Sequence, residues 1–312
     1  MSDTGGVLRG AEKPRTHALH LGWATWFTAE LILATAGLVV EWLAFQRAIE
    51  MILLSTPGGW GSFFSALGTL VFMLCYARVQ LYSITLVHRY FTHRSFETYW
   101  WVRAIIIALF HSTLEGLVIL WRGWHLQHHA VPDTALDIHS PVLYGWWHAQ
   151  IFWMWKKDFI QPPGYKYMGG SHRPWYNPLK VMEKYYWWIV AFMGFAFPTV
   201  ICSLWGEWEA GLLFASFTRA VMVRNLTGLI NSSAHMWGET VEGGGSARNT
   251  AWKFFIWLVV GEPNHATHHK HPNYYRFGEY DPAADLIENM AKLGIAYDLK
   301  GPSGLTYART PV

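Results

Sequence analysis

The stretch FFSALGTLVFMLCYARVQLYSITLVHRYFTH, residues 63–93, joins an apolar segment of membrane length to two histidines. Its first part, Phe63 to Val87, is long enough to cross the hydrocarbon core of a bilayer as one helix. His88 and His93 follow at the end of that helix. The sequence therefore predicts a membrane helix that carries potential metal ligands to one edge of the membrane.

Three other segments have similar length and apolar character: Leu21 to Phe45, Tyr186 to Leu204 and Leu212 to Ile230. Of the 312 residues, 52% are hydrophobic and only 14% are charged, which is well below the usual charged share. We therefore predict an all-α integral membrane protein with four transmembrane helices, arranged as two hairpins over residues 21–87 and 185–235. A further apolar run, Ala104 to Leu120, contains His111 and Glu115, and we expect a buried or interfacial helix there.

Basic residues indicate the orientation of these helices. Arg47 is the only basic residue in the link between the first two spans. The link between the last two spans contains Glu207 and Glu209 but no Lys or Arg. The positive-inside rule then places the polar N-terminus (1–20) and two cap segments, 88–184 and 236–312, on the cytosolic side. Both termini are expected there. The net charge of +3 and the absence of basic-aromatic patterning give no indication of a nucleic-acid partner.

Two further histidine clusters lie in the predicted cytosolic cap. They are His125-Leu-Gln-His128-His129 and His265-Ala-Thr-His268-His269, and they repeat the spacing H-x-x-H-H. Positions i, i+3 and i+4 share one face of a helix, so each triplet can direct its rings at one locus. Imidazole binds iron, zinc, copper and nickel, and this many rings exceed the four ligands of one structural zinc ion. The clusters predict a two-metal centre.

The order of these motifs resembles that of the membrane fatty acyl desaturases, and most of all the stearoyl-CoA (delta-9) type. The resemblance includes Asn231-Ser-Ser-Ala-His235 and the Gly-Glu pair before the last cluster, and it covers roughly Tyr82 to Lys300. It implies a cytosolic helical cap that holds two iron ions through nine histidines and a water held by an asparagine. The implied metal site comprises His88, His93, His125, His128, His129, Asn231, His235, His265, His268 and His269.

Three polar residues near these motifs are expected to support the ligands. Asp137 and Glu262 are candidates to orient ligand imidazoles through the second ring N–H, as outer carboxylates commonly do. His139 follows Asp137 with one residue between them, which matches the pattern of the family after its second cluster. We expect His139 to support the site or the local fold.

The resemblance implies an O2-dependent oxidoreductase that inserts a double bond into a fatty acyl chain. The chain shows no flavin, dinucleotide or haem-attachment motif. Electrons must therefore come from an external donor, which the family resemblance indicates is a small cytochrome or ferredoxin with its reductase, acting at the membrane lipid surface.

The acyl substrate could be attached to CoA or to a carrier protein, or it could be a free acid. Gly123 and Trp124 stand where CoA-using relatives often have an Arg-Asp pair, whereas the basic pair Lys156-Lys157 is retained and is expected to meet carrier phosphates. Four more residues are expected to contact the chain: Tyr76, Gln80, Glu115 and Trp121. Glu115 replaces the usual Gln near the bend of the chain. Gln80 and Tyr76 are expected at the far end, where an amide would favour chains of medium length.

Two alternatives remain open at this stage. A related di-iron enzyme could hydroxylate the chain, form an acetylenic bond or decarboxylate a free acid to a terminal alkene, because the metal ligands do not distinguish these outcomes. A more remote alternative is a non-catalytic membrane metal-binding protein. That class should place ligands within the spans along a pathway, whereas these ligands cluster at predicted helix ends.

Overall fold

The structure, a computed structural model, describes residues 16–155 and 176–301 and is almost entirely helical. Lys156 and Lys157 lie outside the described residues. The α-helices are Thr16–Leu53 (α1), Gly59–Leu86 (α2), Trp100–His111 (α3), Val118–Ala130 (α4), Pro141–Tyr144, Trp146–Gln150, Tyr176–Lys184, Tyr186–Ile189, Phe197–Ser203, Trp208–Leu212, Arg219–Asn231, Lys253–Leu258, His265–Lys270 and Pro282–Lys292. Shorter elements are the π-helical segments Val87–Thr92, Val190–Ala196 and Leu213–Thr218, the 3₁₀ turns Phe152–Trp155 and Ser233–His235, and the strands Glu97–Thr98 and Ala296–Tyr297.

Three helical stretches in the described residues are long and apolar enough to cross a membrane. They are Ala24–Leu53, Gly59–Thr92 and Tyr186–Ser203, and they coincide with three of the four predicted spans. Helix α1 exposes large apolar side chains such as Ile32, Trp42 and Leu53, each more than half accessible. A helix that is apolar on its outer face as well as its inner face suits lipid rather than water.

The fourth predicted span is helical but is not among the helices apolar enough to cross a membrane. Trp208–Leu212, the π-helical segment after it and Arg219–Asn231 follow one another without a break, and they pack against α1 and α2. Arg219 and Arg224 lower the hydropathy of this segment, and both are buried. Arg224 donates to Glu30 of α1 at 2.7 Å, so this helix lies in the interior of the bundle and not at its lipid surface.

The apolar run Ala104 to Leu120 forms two helices and not the single one expected. Helix α3 ends at His111 and α4 begins at Val118. The link between them contains Leu114 at φ 66° and Gly116 at φ 95°, and these left-handed conformations cannot continue a right-handed α-helix. The break gives α4, which carries the second histidine cluster, its own direction.

The main hydrophobic core lies where the end of α2 meets α3 and the C-terminal helix Pro282–Lys292. Phe91, Phe110 and Ile287 are fully buried there. The two short strands pair antiparallel, with Glu97 opposite Tyr297. These contacts fasten the C-terminal segment to the chain just after α2 and thereby bring the third histidine cluster beside the first.

Candidate metal centre

The structure brings the nine predicted histidine ligands together in two adjacent groups. In each group, the nitrogen atoms available for binding lie within 4.8 Å of one another. One group contains five histidines and the other four. The first comprises His88, His93, His125, His129 and His268, and the second comprises His128, His235, His265 and His269.

The spacing of the Nε2 atoms fits shared metal ions better than hydrogen bonds between rings. The Nε2 atom of His125 lies 3.0 Å from that of His88, 3.0 Å from that of His93 and 2.9 Å from that of His129. A ring nitrogen carries one proton or one lone pair and makes one hydrogen bond, so it cannot bond three neighbours. Ligands held about 2.1 Å from one ion at right angles lie about 3 Å apart, which matches the geometry.

A π-helical segment sets the position of the first cluster. His88 and His93 are five residues apart, and five residues of an α-helix would rotate their side chains about 140° from each other. The segment Val87–Thr92 is π-helical, and His93 N–H donates to the His88 carbonyl over five residues at 3.2 Å. This wider turn brings both rings to the same group, with their centroids 4.9 Å apart.

The two H-x-x-H-H triplets are divided between the groups and do not each converge on one locus. On α4, His125 and His129 belong to the five-histidine group and His128 to the other. On the helix His265–Lys270 the division is reversed, since His268 joins the five-histidine group. The three positions share one face of each helix, but i+3 is displaced by about 60° around the helix axis from i and by about 100° from i+4. The rings at i and i+4 reach one group, and the ring at i+3 reaches the other. Each triplet therefore bridges the two groups and fixes their separation.

Seven of the nine histidines are held neutral, which is the state that binds metal. Burial, reinforced by neighbouring rings, lowers the pKa of the imidazoles outside the spans. The pKa lies well below its usual value for His93, His125, His129, His235, His265 and His268, and at about 2 for His269. Lone pairs of uncharged rings therefore converge at both groups, and a cation placed between them would compensate for their burial.

Asp137 contacts His128, a member of the four-histidine group. Its Oδ2 atom accepts from Nδ1 of His128 at 2.8 Å, which leaves Nε2 of His128 unprotonated and free to bind metal. Burial would raise the pKa of Asp137, but the hydrogen bond from His128 and the nearby His139 outweigh it and lower the pKa below its usual range. His139 lies beside this carboxylate, with Nδ1 at 3.6 Å from Oδ1.

Glu262 plays the same part in the five-histidine group. Its Oε2 atom accepts from Nδ1 of His88 at 2.7 Å, and its Oε1 atom accepts from Arg89 at 3.2 Å. Arg89 also binds Asp281 at 3.0 Å, so a buried chain of charges supports the ligand. Gly261 permits this arrangement, because it has φ 93° and a Cβ atom there would collide with the Asp281 carboxylate. Sequence analysis missed Arg89 and Asp281, although a charge next to a predicted span was a signal.

A cavity of about 320 Å³ adjoins the histidine groups, and His125 is part of its wall. Four predicted substrate or ligand residues line it, namely Glu115, Trp121, His125 and Asn231, and the predicted supporting residue His139 lines it as well. The Trp121 ring stacks on His125 with the centroids 5.4 Å apart, and so joins the cavity wall to the five-histidine group. Asn231 ends its helix four residues before His235, which belongs to the four-histidine group.

Tyr76 and Gln80 do not line this cavity but lie in a buried polar cluster. Gln80 donates to the Ser112 hydroxyl at 2.6 Å and accepts a hydrogen bond from Arg219. Tyr76 donates to the Met193 carbonyl at 2.7 Å. The expected unpaired amide facing an acyl chain is therefore not observed, because Arg219 satisfies it. Sequence analysis did not single out Arg219, a charge inside an apolar segment.

We expect Gln80→Ala to lower the thermal stability of the protein and to leave its chain-length preference unchanged. The substitution removes the Gln80 side-chain acceptor of the fully buried Arg219, which keeps only backbone carbonyls as hydrogen-bond partners, and such a loss costs about 1–3 kcal/mol. Thermal unfolding in detergent measures the loss, with Gln46→Ala, exposed on α1, as the control. A shift of the preferred substrate toward longer chains would contradict this expectation and would support the prediction from sequence that Gln80 lies at the far end of the acyl site.

The fold and the site define a class: a helical protein with membrane-length apolar helices and a histidine-rich centre suited to two metal ions. Residues 60–300 match the model of the fatty acid desaturase family. The chain belongs to this family.

Individual relatives are 29–33% identical to this chain over the aligned residues. A probable acyl-CoA desaturase of Schizosaccharomyces pombe is 33% identical over 74% of this chain and 49% of its own length. An sn-2 palmitoyl-lipid 9-desaturase of Nostoc is 29% identical over 86% of this chain and 94% of its own length. A hex-5-enoyl-[acyl-carrier protein] acetylenase of Moorena producens is 29% identical over 70% of this chain and 72% of its own length. The chain spans about half the length of two yeast relatives: 49% of the Schizosaccharomyces pombe protein and 46% of acyl-CoA desaturase 1 of Saccharomyces cerevisiae.

Proposed function

We propose that this protein is an O2-dependent membrane di-iron desaturase that inserts a double bond into a fatty acyl chain. The observation that carries the proposal is the convergence of nine imidazoles, five buried and four half-buried, in two groups beside a cavity. An all-imidazole donor set suits iron and leaves no thiolate or carboxylate among the direct ligands. Family membership supports the same chemistry.

The residues of this chain would hold, orient and shield the centre. His88, His93, His125, His129 and His268 would hold one iron, and His128, His235, His265 and His269 the other, with Asn231 placed to hold a water. The bound irons would supply the oxidising power to remove two hydrogens from adjacent carbons while O2 is reduced to water. Glu262 and Asp137 would fix the tautomers of His88 and His128. Trp121, which stacks on His125, would contact the acyl chain and exclude water from the site.

The substrate class follows from the shape and lining of the cavity. Its wall is mostly apolar and includes Leu117, Leu120 and Ile138, which suits an acyl chain. Among the relatives, some are named for acyl-CoA, one for an acyl-carrier protein and one for a lipid acyl group. We propose an acyl chain as substrate, delivered on CoA or a carrier protein or as a free acid.

The remaining partners follow from the same chemistry. Two electrons per turnover would come from a small cytochrome or ferredoxin with its reductase, docking on the face of the histidine groups. We infer from the basic residues that flank the predicted spans that this face and both termini lie on the cytosolic side of a multi-pass membrane protein.

A related oxidative outcome is the second candidate. The relative from Moorena producens is named as an acetylenase and covers 70% of this chain. The same ligands would serve both reactions, because the outcome depends on how the chain lies against the centre. Acetylenic bond formation is therefore the alternative that this relative favours.

The test is expression in a desaturase-deficient host, followed by mass spectrometry of lipids and volatile products. A new double bond that appears only with O2, and that is lost with His268→Ala, would support desaturation. An acetylenic, hydroxylated or shortened product would support the alternatives. Absence of any oxidised acyl product from an iron-loaded protein with several electron donors would contradict the proposal.

A separate prediction concerns Lys156 and Lys157, which we propose meet the phosphates of an acyl carrier. Replacing both by alanine should raise the apparent KM for a carried substrate several-fold, with a salt-sensitive effect, and change kcat less. Steady-state kinetics at several ionic strengths measure this, with Lys253→Ala as a control on a different element. An unchanged KM would indicate a free acid or a bilayer lipid as the substrate.

A further inference from the structure

Three charged residues meet at one stretch of the acyl cavity. Glu115, in the link between α3 and α4, and Arg224, on the helix Arg219–Asn231, both line the cavity. Arg224 donates to Glu30 of α1 at 2.7 Å and to the Leu114 carbonyl at 3.1 Å. An apolar chain would form no hydrogen bond with these polar side chains, so the cluster needs an explanation beyond a plain hydrocarbon substrate.

Two acceptor atoms in this cluster are buried and unpaired. Within residues 16–155 and 176–301, Glu115 Oε1 and Glu30 Oε1 have no hydrogen-bond partner. The exposed fraction of Glu30 is 1%. Burial raises the pKa of Glu115 to about 7, with Arg224 opposing and Glu30 adding to the shift. An unpaired buried acceptor is costly, and it is retained where a ligand supplies the missing donor.

The cluster lies at a defined distance from the metal ligands. Arg224, Thr227, Gly228 and Asn231 follow the spacing i, i+3, i+4 and i+7, and all four line the cavity along one face of their helix. Seven residues of α-helix span about 10 Å. The backbones of Arg224 and Asn231 are therefore about 10 Å apart along the helix, so Glu115 and Arg224 lie at a different part of the cavity from Asn231.

The charges select a neutral polar group. Arg224 would repel an ammonium group, and Glu115 and Glu30 would repel a carboxylate. A neutral group that both donates and accepts can bond the Glu115 carboxylate and the Arg224 guanidinium together. Hydroxyls and secondary amides have that property.

We propose that Glu115 and Arg224 form a polar subsite in the acyl cavity that binds a neutral hydrogen-bonding group of the substrate. This inference rests on the proposed function, because it takes the cavity to be the acyl site. The group is either a hydroxyl carried on the acyl chain or an amide of a pantetheine carrier arm. Both would donate to Glu115 and accept from Arg224.

The experiment measures binding to the iron-loaded protein in detergent, without an electron donor, so that no turnover occurs. One ligand pair is dodecanoic acid against its hydroxylated isomers. The other is dodecanoyl-pantetheine against the S-ethyl thioester of the same acid, which lacks the amides. A hydrogen bond to a charged group should make the polar member of one pair bind about tenfold tighter or more. The pair that shows this difference identifies the source of the group.

Variants then test whether Glu115 is responsible. Glu115→Leu should abolish the difference within that pair, whereas Glu115→Gln should retain part of it. Glu183→Gln is the matched control, because Glu183 lines the same cavity but already accepts from the Ile119 N–H at 2.8 Å. Glu115→Leu should also raise the melting temperature of the ligand-free protein, since it removes an unpaired buried acceptor.

Two results would overturn the proposal: no difference within either ligand pair for the unaltered protein, or a difference that persists in Glu115→Leu. These outcomes are separate from the fate of the proposed function. If the binding preference is found and no double bond is ever formed, desaturation fails while the polar subsite stands. If oxidation of plain acyl chains is found without the preference, the subsite alone fails.

Discussion

His128→Ala and His268→Ala should each abolish turnover and lower the iron content from about two ions per chain toward one. The two residues belong to different groups, so each substitution damages a different site. Nε2 of His268 lies 2.8 Å from that of His129 and 3.1 Å from that of His88, and Nε2 of His128 lies 3.3 Å from that of His269. Iron analysis per chain and product analysis measure the two effects.

The control for both variants is His271→Ala. His271 follows the third cluster but belongs to neither group, and its ring stacks on Tyr274 with the centroids 4.6 Å apart. This variant should keep its iron and its activity. Full activity in His128→Ala or His268→Ala, or stoichiometric zinc in an active preparation of the unaltered protein, would contradict the assignment of a di-iron centre.

The sequence allowed the identity of the nine histidines to be predicted, because short-range spacing carries that information. Triplets on helices, a His-pair at the end of an apolar span and an Asn-His pair later in the chain are all local patterns. Within the part of the chain that it describes, the structure brings these nine rings together in two groups, and it also places His139 beside His128 with the ring centroids 4.9 Å apart.

The division of the rings between two groups could not be predicted, because it depends on backbone geometry. The π-helical turn at Val87–Thr92 arises from packing at the end of α2, and helical periodicity alone does not indicate it. The break between α3 and α4 likewise depends on left-handed backbone at Leu114 and Gly116. Tertiary context decides both features.

Charged residues inside apolar segments were the least predictable part of the molecule. Hydropathy treats Arg219 and Arg224 as interruptions of a span, whereas the structure buries both against partners on other helices. Those partners, Gln80 and Glu30, lie more than 100 residues away in sequence. Only the three-dimensional arrangement shows that an arginine satisfies Gln80 and that Glu115 stays unpaired.

Removing the carboxylates that orient the ligands should weaken iron binding without abolishing it. Asp137→Asn and Glu262→Gln each keep the shape of the side chain but lose the charge that polarises a ligand ring. Outer carboxylates of this kind typically contribute 10- to 100-fold in metal affinity or activity, so we expect losses of about that size. Asp137→Asn should loosen the iron of the four-histidine group, and Glu262→Gln that of the five-histidine group.

Competition with a chelator, followed by iron analysis per chain, measures both losses. Ser246→Ala offers a graded comparison, because its hydroxyl lies 3.0 Å from Nδ1 of His235 but carries no charge, and it should have a smaller effect. Asp285→Asn is the control substitution. Asp285 is a carboxylate that lies outside the histidine groups and pairs with Arg276 at 2.6 Å.

Glu262→Gln should cost more stability than Asp137→Asn, because it also deprives the fully buried Arg89 of one of its two carboxylates. If chelator resistance were unchanged in both variants, the carboxylates would support the fold alone, and the orientation of His88 and His128 would have to come from the helices that carry them.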